Sequence, residues 1–367
     1  DKKCRNLIRK LHRRNPGAII AVTGCYAQLK PQEIAAIEGV GIVLSNNDKG
    51  MLYKRVVELS GKGRAQIYSC DTESLTSFFA AFSSGDRTRA FLKVQDGCDY
   101  KCAYCTIHYA RGGSRNMPVA DLVAEARRIA AAGQKEIVLT GVNTGDFGRT
   151  TGEKFIDLLR ALDGVDGIER YRISSIEPNL LTDEIIAFCA ASPKFQHHFH
   201  IPLQSGSDKI LGLMRRRYTT ARFADRIAAV RALMPDAFIG IDVIVGFPGE
   251  TEEDFRDSFN LLKEVRFDVV HTAAYSPREG TKAAVMENQI ENRVKAERLN
   301  EINDMQSSLA RELNEAYKGR ELEILIDGAA PRGDGLLQGR TVTDKVVIIS
   351  GTEDEIGHFA KVKITRG

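Results

Sequence analysis

The sequence predicts an α/β protein, and three observations predict it. From Ala90 onward, six short β-rich runs alternate with longer stretches whose apolar residues recur at helical spacing. Strands joined by such stretches are most naturally parallel, with crossover helices, and six of them can form a barrel or an open sheet. After Gly319 the texture changes to short alternating runs with glycines between them, the pattern of a small antiparallel β-barrel.

Taken in order, "AIIAVTGCYA" and "VGIVLSNN" flank the helical "PQEIAAIE", so residues 1–80 read as part of a small α/β unit. "DTESLTSFFAAFSSGDRTRA" is a polar linker with a short apolar interlude. The six strand candidates are "AFLKVQ", "EIVLTGV", "YRISSI", "HFHIPLQ", "AFIGIDVIVGF" and "VVHTAAYS". Between them lie amphipathic stretches such as "VADLVAEARRIAAAG", "TDEIIAFCAA", "ARFADRIAAVRALM" and "EEDFRDSFNLLKEV". A long charged helix, "ENRVKAERLNEINDMQSSLARELNEAYKG", closes this block. "ELEILIDGA", "LLQGRTV", "KVVIISG" and "FAKVKITRG" are the terminal strands. The expected domains are therefore 1–80, 81–318 and 319–367.

Composition sets the environment. With 43% hydrophobic and 28% charged residues and no low-complexity tract, the chain reads as an ordinary globular protein. It has no apolar run of the ~18 residues needed to cross a bilayer, and "DKKCRNLIRKLHRRNP" lacks the apolar core of a signal peptide. No membrane partner and a cytoplasmic location are the expectation. Seven irregularly spaced cysteines suit a reducing compartment better than a disulfide framework. A formal charge of +3 selects no partner, but basic residues crowd the first fourteen positions, and Arg215, Arg216 and Arg217 are consecutive. Such clusters read first as solvated faces and otherwise as phosphate-binding patches.

Three of the seven cysteines, Cys98, Cys102 and Cys105, fall within eight residues of "DGCDYKCAYCTIHYARGGSR". Three thiolates at C-x3-C-x2-C can hold three irons of a cubic 4Fe–4S cluster and leave the fourth iron open to a small molecule. The alternative is zinc, because His108 would complete a three-cysteine, one-histidine tetrahedron. A structural zinc loop normally holds a tiny domain together, whereas this loop follows the first strand of a large β/α array. The context favours the open cluster.

With Tyr104 just before its last cysteine, this motif resembles the radical S-adenosylmethionine superfamily, whose core is a six-stranded partial (β/α) barrel. The full loop, together with "LTGVNTGDFG", "SSIEP", "HIPLQSGSDKIL" and "VGFPGETEEDF", resembles the methylthiotransferases within that superfamily. "VTGCYAQ" resembles their amino-terminal domain, and the last fifty residues resemble TRAM, the RNA-binding β-barrel of the tRNA-modifying members. The resemblance implies S-adenosylmethionine and two 4Fe–4S clusters as cofactors. One cluster sits on Cys98, Cys102 and Cys105, where the open iron chelates S-adenosylmethionine and its cleavage gives a radical that abstracts hydrogen from carbon. The second, in the amino-terminal domain, carries the sulfur.

Two departures stand out. The family supplies three cysteines to the auxiliary cluster; Cys25 matches the third, and the first two are absent. Cys4 is not a substitute, because "DKKCRNLIRK" resembles the stretch after the second ligand. The resemblance thus implies a chain that starts partway into the full protein, or has lost that part. His108 stands where relatives commonly have proline, and reads as a loop histidine before it reads as a ligand.

Other residues carry double readings. Cys70 and Cys189 have no partner spacing and read as small hydrophobes. Gly246, Pro248 and Gly249 in "GFPGE" are either strand-to-helix punctuation or bare backbone that lets a cofactor approach. Glu177, Gln204, Ser205 and Asp242 fall near carboxyl ends of strands, where polar groups read as ligand contacts. With Tyr104, Gly246 and Pro248 they make up the expected cofactor-binding set. Arg111 and Arg115 bind substrate phosphate or stabilise the loop.

By resemblance, the substrate is an N6-modified adenosine beside the tRNA anticodon, which receives a methylthio group at C2. "LTGVNTGDFG", "SSIEP" and "LMRRRY" look more like the threonylcarbamoyl branch; "GRTVTDKVVIISG" also has parallels in the isopentenyl branch. Methylthiolation of a ribosomal-protein aspartate is the other alternative. The implied partners are the tRNA anticodon stem-loop and an electron donor such as a flavodoxin or ferredoxin, with a monomer expected.

Overall fold

The computed structural model describes residues 2–59, 65–78 and 88–367. The expected boundary between residues 80 and 81 and the middle of the linker lie outside these residues. Two compact units are present: one takes Asp1–Phe79, Asp96–Lys101 and Cys105–Asn116, the other Ala80–Gln95, Cys102–Tyr104 and Met117–Gly367.

The first unit begins with α1 (Lys2–Arg14), which buries Ile8 and leaves most of its basic residues in solvent. Its charge is therefore mostly a solvated face, and Arg5 is spoken for by Tyr26 and Glu33. Strand β1 (Ile20–Thr23), short helices α2 (Cys25–Leu29) and α3 (Pro31–Ala35), β2 (Val40–Leu44), α4 (Leu52–Glu58) and β3 (Gln66–Tyr68) follow. The strands form a parallel sheet in the order β1-β2-β3. Apolar side chains of Ile20, Val22, Ile34, Val40 and Val43 build its core with Ile8.

In the second unit β4 (Arg89–Lys93) opens the repeat. After the short strands β5 (Gln95–Asp96) and β6 (Arg115–Asn116), with α5 (Ile107–Arg111) between them, come α6 (Val119–Ala131), β7 (Glu136–Thr140), α7 (Phe155–Asp163) and β8 (Arg170–Ile173). The repeat continues through α8 (Asp183–Ala191), β9 (His198–His200), α9 (Asp208–Leu213), α10 (Thr220–Leu233), β10 (Phe238–Val245), α11 (Glu252–Val265) and β11 (Val269–Ala274). Strands β4-β7-β8 and β9-β10-β11 form two parallel sheets, which the single parallel bridges Tyr171↔Phe195 and Ser175↔His200 join. The result is the six-stranded partial barrel, with β4 and β11 as its edges.

Local chemistry explains these elements. Threonine or serine caps the helices at Thr182, Ser207, Thr219 and Thr251, each side chain accepting from a first-turn amide. "HFHIPLQ" pairs as a regular strand only over His198–His200, because Pro202 has no amide to give; the run resumes at Gln204, which bridges to Val243. Outward-facing Ala90, Leu92, Ile137, Leu139, Phe199, Ile239, Ile241 and Val243 are buried in one continuous core with the helices.

The long helix α12 (Asn292–Glu315) leads to β12 (Glu321–Ala329), β13 (Leu336–Thr341), β14 (Val346–Ser350) and β15 (Phe359–Lys363). They form a curled antiparallel sheet, order β14-β13-β12-β15, around Ile324, Ile326 and Leu337. This sheet is fastened to the amino-terminal ends of the barrel strands. Arg172 pairs with Glu136 at 2.9 Å, and both are buried; its other nitrogens donate to the Thr341 and Val342 carbonyls. Arg170 reaches Glu323 and the Arg340 carbonyl. Asp344, in a turn at φ 60°, faces Arg89, Arg172 and His198.

Candidate active site

The cysteine loop contributes residues to both units, Asp96–Lys101 and Cys105–Asn116 to the first and Cys102–Tyr104 to the second, and each portion is held by its own neighbours. In the first unit, Gly97 has φ +73°, and a Cβ there would stand 1.9 Å from the Gly113 carbonyl oxygen, so only glycine fits. The Cys98 amide donates to the Gly112 carbonyl. Backbone amides of Tyr100 and Ile107 each point at a cysteine sulfur, 3.4 Å from Cys98 and from Cys105. Asp96 pairs with Arg111 at 2.9 Å and with Arg115 at 3.5 Å, and Arg115 also donates to the carbonyls of Ser77 and Arg111. Arg115 is thus a brace of the loop. Arg111 sends its Nε to the Sγ of Cys25 at 3.3 Å, which places the candidate auxiliary ligand beside a fixed cation. Cys4 instead packs against the apolar core of the first unit.

In the second unit, the Ala103 amide donates to Met214, and its carbonyl accepts from Ala283, so Cys102–Tyr104 is clamped between two barrel-rim segments. Ala103 lies in a small apolar cluster with Met214, Phe247 and Tyr275, and the Tyr104 ring meets Phe247 edge-on. Arg216 is the hub of this side. Its Nη1 lies 3.2 Å from the Sγ of Cys102 and 3.5 Å from the Tyr104 hydroxyl, its Nη2 pairs with Glu177, and its Nε donates to Tyr218. Tyr218 in turn reaches the carbonyls of Pro202 and Leu203. Burial opposes the Arg216 charge, but Glu177 together with the Tyr104, Tyr218 and Cys102 side chains outweighs it, so the guanidinium pKa is raised well above its ordinary value. Burial also pushes the Glu177 carboxyl up, and Arg216 pulls it back. The Tyr104 hydroxyl, buried, is raised well above its ordinary value.

The remaining expected residues divide. Gln204 sits in the left-handed region at φ 66°, an uncommon place for a glutamine, held by bonds from its amide to Asp242 and from Ile244 to its carbonyl. Asp242, half-buried, pairs with His200. Ser205 turns the other way. Its buried hydroxyl lies 3.4 Å from that of Ser258 and accepts from the Ser207 amide, so it organises the junction of α9 and α11. The Gly246 amide is taken by the Glu250 carboxylate, itself paired with Arg298. A Cβ on Gly246, at φ +70°, would stand 2.3 Å from Cγ of Lys295. That close approach accounts for the glycine, and Pro248 is buried in the same turn. Cys189 is buried in the core, where its thiol is pushed up to about 12 by burial.

Arg216 and Tyr218 were missed by sequence reasoning. The three consecutive arginines read as a surface cluster, yet the Arg216 side chain is 4% exposed.

A 4Fe–4S cluster fits the donor set. Every motif sulfur has an N–H aimed at it, the environment of a thiolate ligand. Among the described residues no three His, Cys, Asp or Glu are gathered for one ion. Each cysteine of a cubic cluster binds a different iron, so the cluster needs no such gathering. His108 lies against the Tyr109 ring, and burial lowers its pKa. For an auxiliary cluster, Cys25 is the one residue of the expected set among those described.

Comparison with known proteins agrees with this geometry. The family model of the radical SAM superfamily matches residues 92–262, and that of the TRAM domain matches 315–367. The chain is 40% identical over its whole length to the threonylcarbamoyladenosine tRNA methylthiotransferase MtaB of Bacillus subtilis (strain 168), covering 82% of that protein. It belongs to the radical SAM methylthiotransferase family. It is also 36% identical to the tRNA-2-methylthio-N(6)-dimethylallyladenosine synthase of Alkaliphilus oremlandii (strain OhILAs), over 97% of this chain and 77% of that one. Among solved structures, the radical S-adenosylmethionine methyltransferase TsrM of Kitasatospora setae, with tryptophan and a cofactor analogue, matches with a TM-score of 0.57. That match has 14% identity over 74% of this chain and 58% of TsrM, a likeness of fold. This methylthiotransferase is therefore a radical SAM enzyme whose family uses S-adenosylmethionine and two 4Fe–4S clusters.

Proposed function

We propose that this methylthiotransferase adds a methylthio group to C2 of an N6-threonylcarbamoyl adenosine beside the anticodon of tRNA. The observation that carries the reading is the cysteine motif bonded through Arg216 to Glu177 at the carboxyl rim of a partial barrel, in a chain that ends in a TRAM domain. The match to the threonylcarbamoyladenosine enzyme along the entire chain supports the choice of substituent. We read residues 1–80 as an amino-terminal α/β domain, 81–318 as the radical core and 319–367 as the RNA-binding domain, working as a monomer with a flavodoxin or ferredoxin donor.

When bound, the cluster and S-adenosylmethionine supply a radical able to take hydrogen from an unactivated carbon. The chain's own residues prepare the place for that chemistry. Cys98, Cys102 and Cys105 would hold three irons of the cluster, and Arg216 fixes a positive charge against Cys102 while it orients Glu177. Tyr104, Phe247 and Tyr275 form an aromatic wall on the Cys102 side and exclude water. Gln204 and Asp242 present polar groups from adjacent strand ends. A purine must leave its stack to bring a ring carbon to this rim.

Nucleoside mass spectrometry of tRNA from cells lacking the gene tests the proposal. Loss of the 2-methylthio form of threonylcarbamoyladenosine is the expected result. Loss of the isopentenyl form instead would move the substrate to the other branch, and unchanged tRNA with an unmodified ribosomal aspartate would move it to protein.

A further inference from the structure

Below the rim, the inner face of the barrel carries two histidines that the cluster site does not use. His200 on β9 and His271 on β11 face each other across β10, their rings 5.6 Å apart and nearly perpendicular. They meet because the β10 residue in register with both His200 and Val269 is Gly240, which puts no side chain between them. Asp242, in register with His271, places Oδ1 3.1 Å from Nε2 of His200. Strand alternation fixes the face. Phe199, Ile239 and Ile241 point out into the helix-covered core, so His200, Gly240 and Asp242 point in.

The neighbouring strand ends add polar groups without partners. Among the described residues, both side-chain amide atoms of Asn143 and the Ser174 hydroxyl are buried with no hydrogen-bond partner. They are neighbours through the backbone: Thr144 donates to the Ser175 carbonyl, and Ser175 bridges to His200. Buried donors and acceptors of this kind are normally satisfied, by protein or by a bound molecule. The site is also reachable, since His271 is exposed on an edge strand and His200 and Asp242 are only partly covered.

We propose that His200 and His271, oriented by Asp242 and joined by Asn143 and Ser174, are the specificity pocket for the N6 substituent of the target adenosine, and that they select a carboxylate- and hydroxyl-bearing group over a hydrocarbon one. This rests on the tRNA reading above. Two imidazoles offer N–H donors to a carboxylate, the Asn143 amide offers a donor and an acceptor, and Ser174 can serve a hydroxyl. An isopentenyl group would displace water from these atoms and return no hydrogen bond. A site built to hydrogen-bond its ligand rejects an analogue that lacks the polar group far more strongly than an apolar pocket rejects an extra hydroxyl.

The test uses three anticodon stem-loop RNAs of one sequence, carrying N6-threonylcarbamoyl adenosine, N6-isopentenyl adenosine or adenosine. Affinity for each is measured by fluorescence anisotropy with the full chain, and with His271→Leu, His200→Phe and His271→Gln. Ratios between RNAs cancel the shared phosphate contacts. The wild-type chain should prefer the threonylcarbamoyl RNA over the isopentenyl RNA by about tenfold or more. Leucine and phenylalanine should bring that ratio close to one, and glutamine, which keeps a donor, should restore part of it. A wild-type ratio near one, or reversed, overturns the substrate reading itself. A wild-type preference that persists in His271→Leu and His200→Phe, both folded by circular dichroism, overturns the pocket and leaves the substrate reading standing.

Discussion

Arg216 bonds Cys102 and Glu177 at once: Nη1 lies 3.2 Å from the cysteine sulfur, and Nη2 pairs with the carboxylate. One buried cation therefore couples a candidate cluster ligand to a rim carboxylate that lies 39 positions from the arginine in sequence. Removing it alone leaves Glu177 buried and uncompensated, which costs about 3–5 kcal/mol. Arg216→Met should lower stability by that order in urea unfolding, and Arg216→Met with Glu177→Gln should recover part of the loss. Additive single and double variants would show that the two side chains are not coupled.

Cysteine replacement should separate the two cluster sites. The chain reconstituted with iron and sulfide is expected to hold one 4Fe–4S cluster, about four irons, on Cys98, Cys102 and Cys105. It should cleave S-adenosylmethionine, whereas alanine at any of the three positions should abolish cleavage. Cys25→Ala should leave iron content and deoxyadenosine production in place. About eight irons per chain would contradict this assignment.

His198 gives a pH dependence. Burial lowers its pKa from 6.5 to about 4, partly opposed by Asp344 and reinforced by Arg172 and His200. The folded state therefore keeps this imidazole neutral where the unfolded chain protonates it. Stability is fully present above pH 6.5 and is lost as pH falls toward 4, by on the order of 3 kcal/mol. Thermal melting across this window should show the slope, and His198→Asn should flatten it.

RNA affinity should depend on a subset of the terminal basic residues. Arg320, Arg332, Arg340, Lys345, Lys361, Lys363 and Arg366 are all candidates by sequence. Arg340 is tied to Asp327 and Asp344, Lys345 to Asp268, and Arg320 to Asp236. Arg332, Lys361, Lys363 and Arg366 are exposed. Replacing Lys361, Lys363 and Arg366 with alanine should weaken tRNA binding and reduce the log–log salt slope by about 2–3, at 0.7–0.9 for each contact. Deleting the whole sheet is a poorer test, because it strips Arg172 of the carbonyls of Thr341 and Val342 and leaves that arginine without them.

Much of this was legible in the chain as a string. Helices α6, α8, α10 and α11 and the strand succession followed from apolar periodicity, because a helix or strand must bury one face whatever its partner is. The spacing of Cys98, Cys102 and Cys105 indicated the cluster, since ligand spacing is local. Glu177 followed from its place after a strand.

Tertiary structure decided what those polar residues do. Of three adjacent arginines, Arg216 alone turns inward: the chain reverses at Arg215 with φ 59°, and Glu177 and Cys102 wait on other strands and loops. Ser205 and Gln204 are neighbours, yet one serves a helix junction and the other the rim. Arg172 finds its carbonyl partner 169 positions away, and His200 meets His271 because Gly240 lies between them. Apolar residues are satisfied by any buried surface, so their pattern is written locally. A charged or polar side chain needs a particular partner at a particular angle, and only the folded chain brings that partner to it.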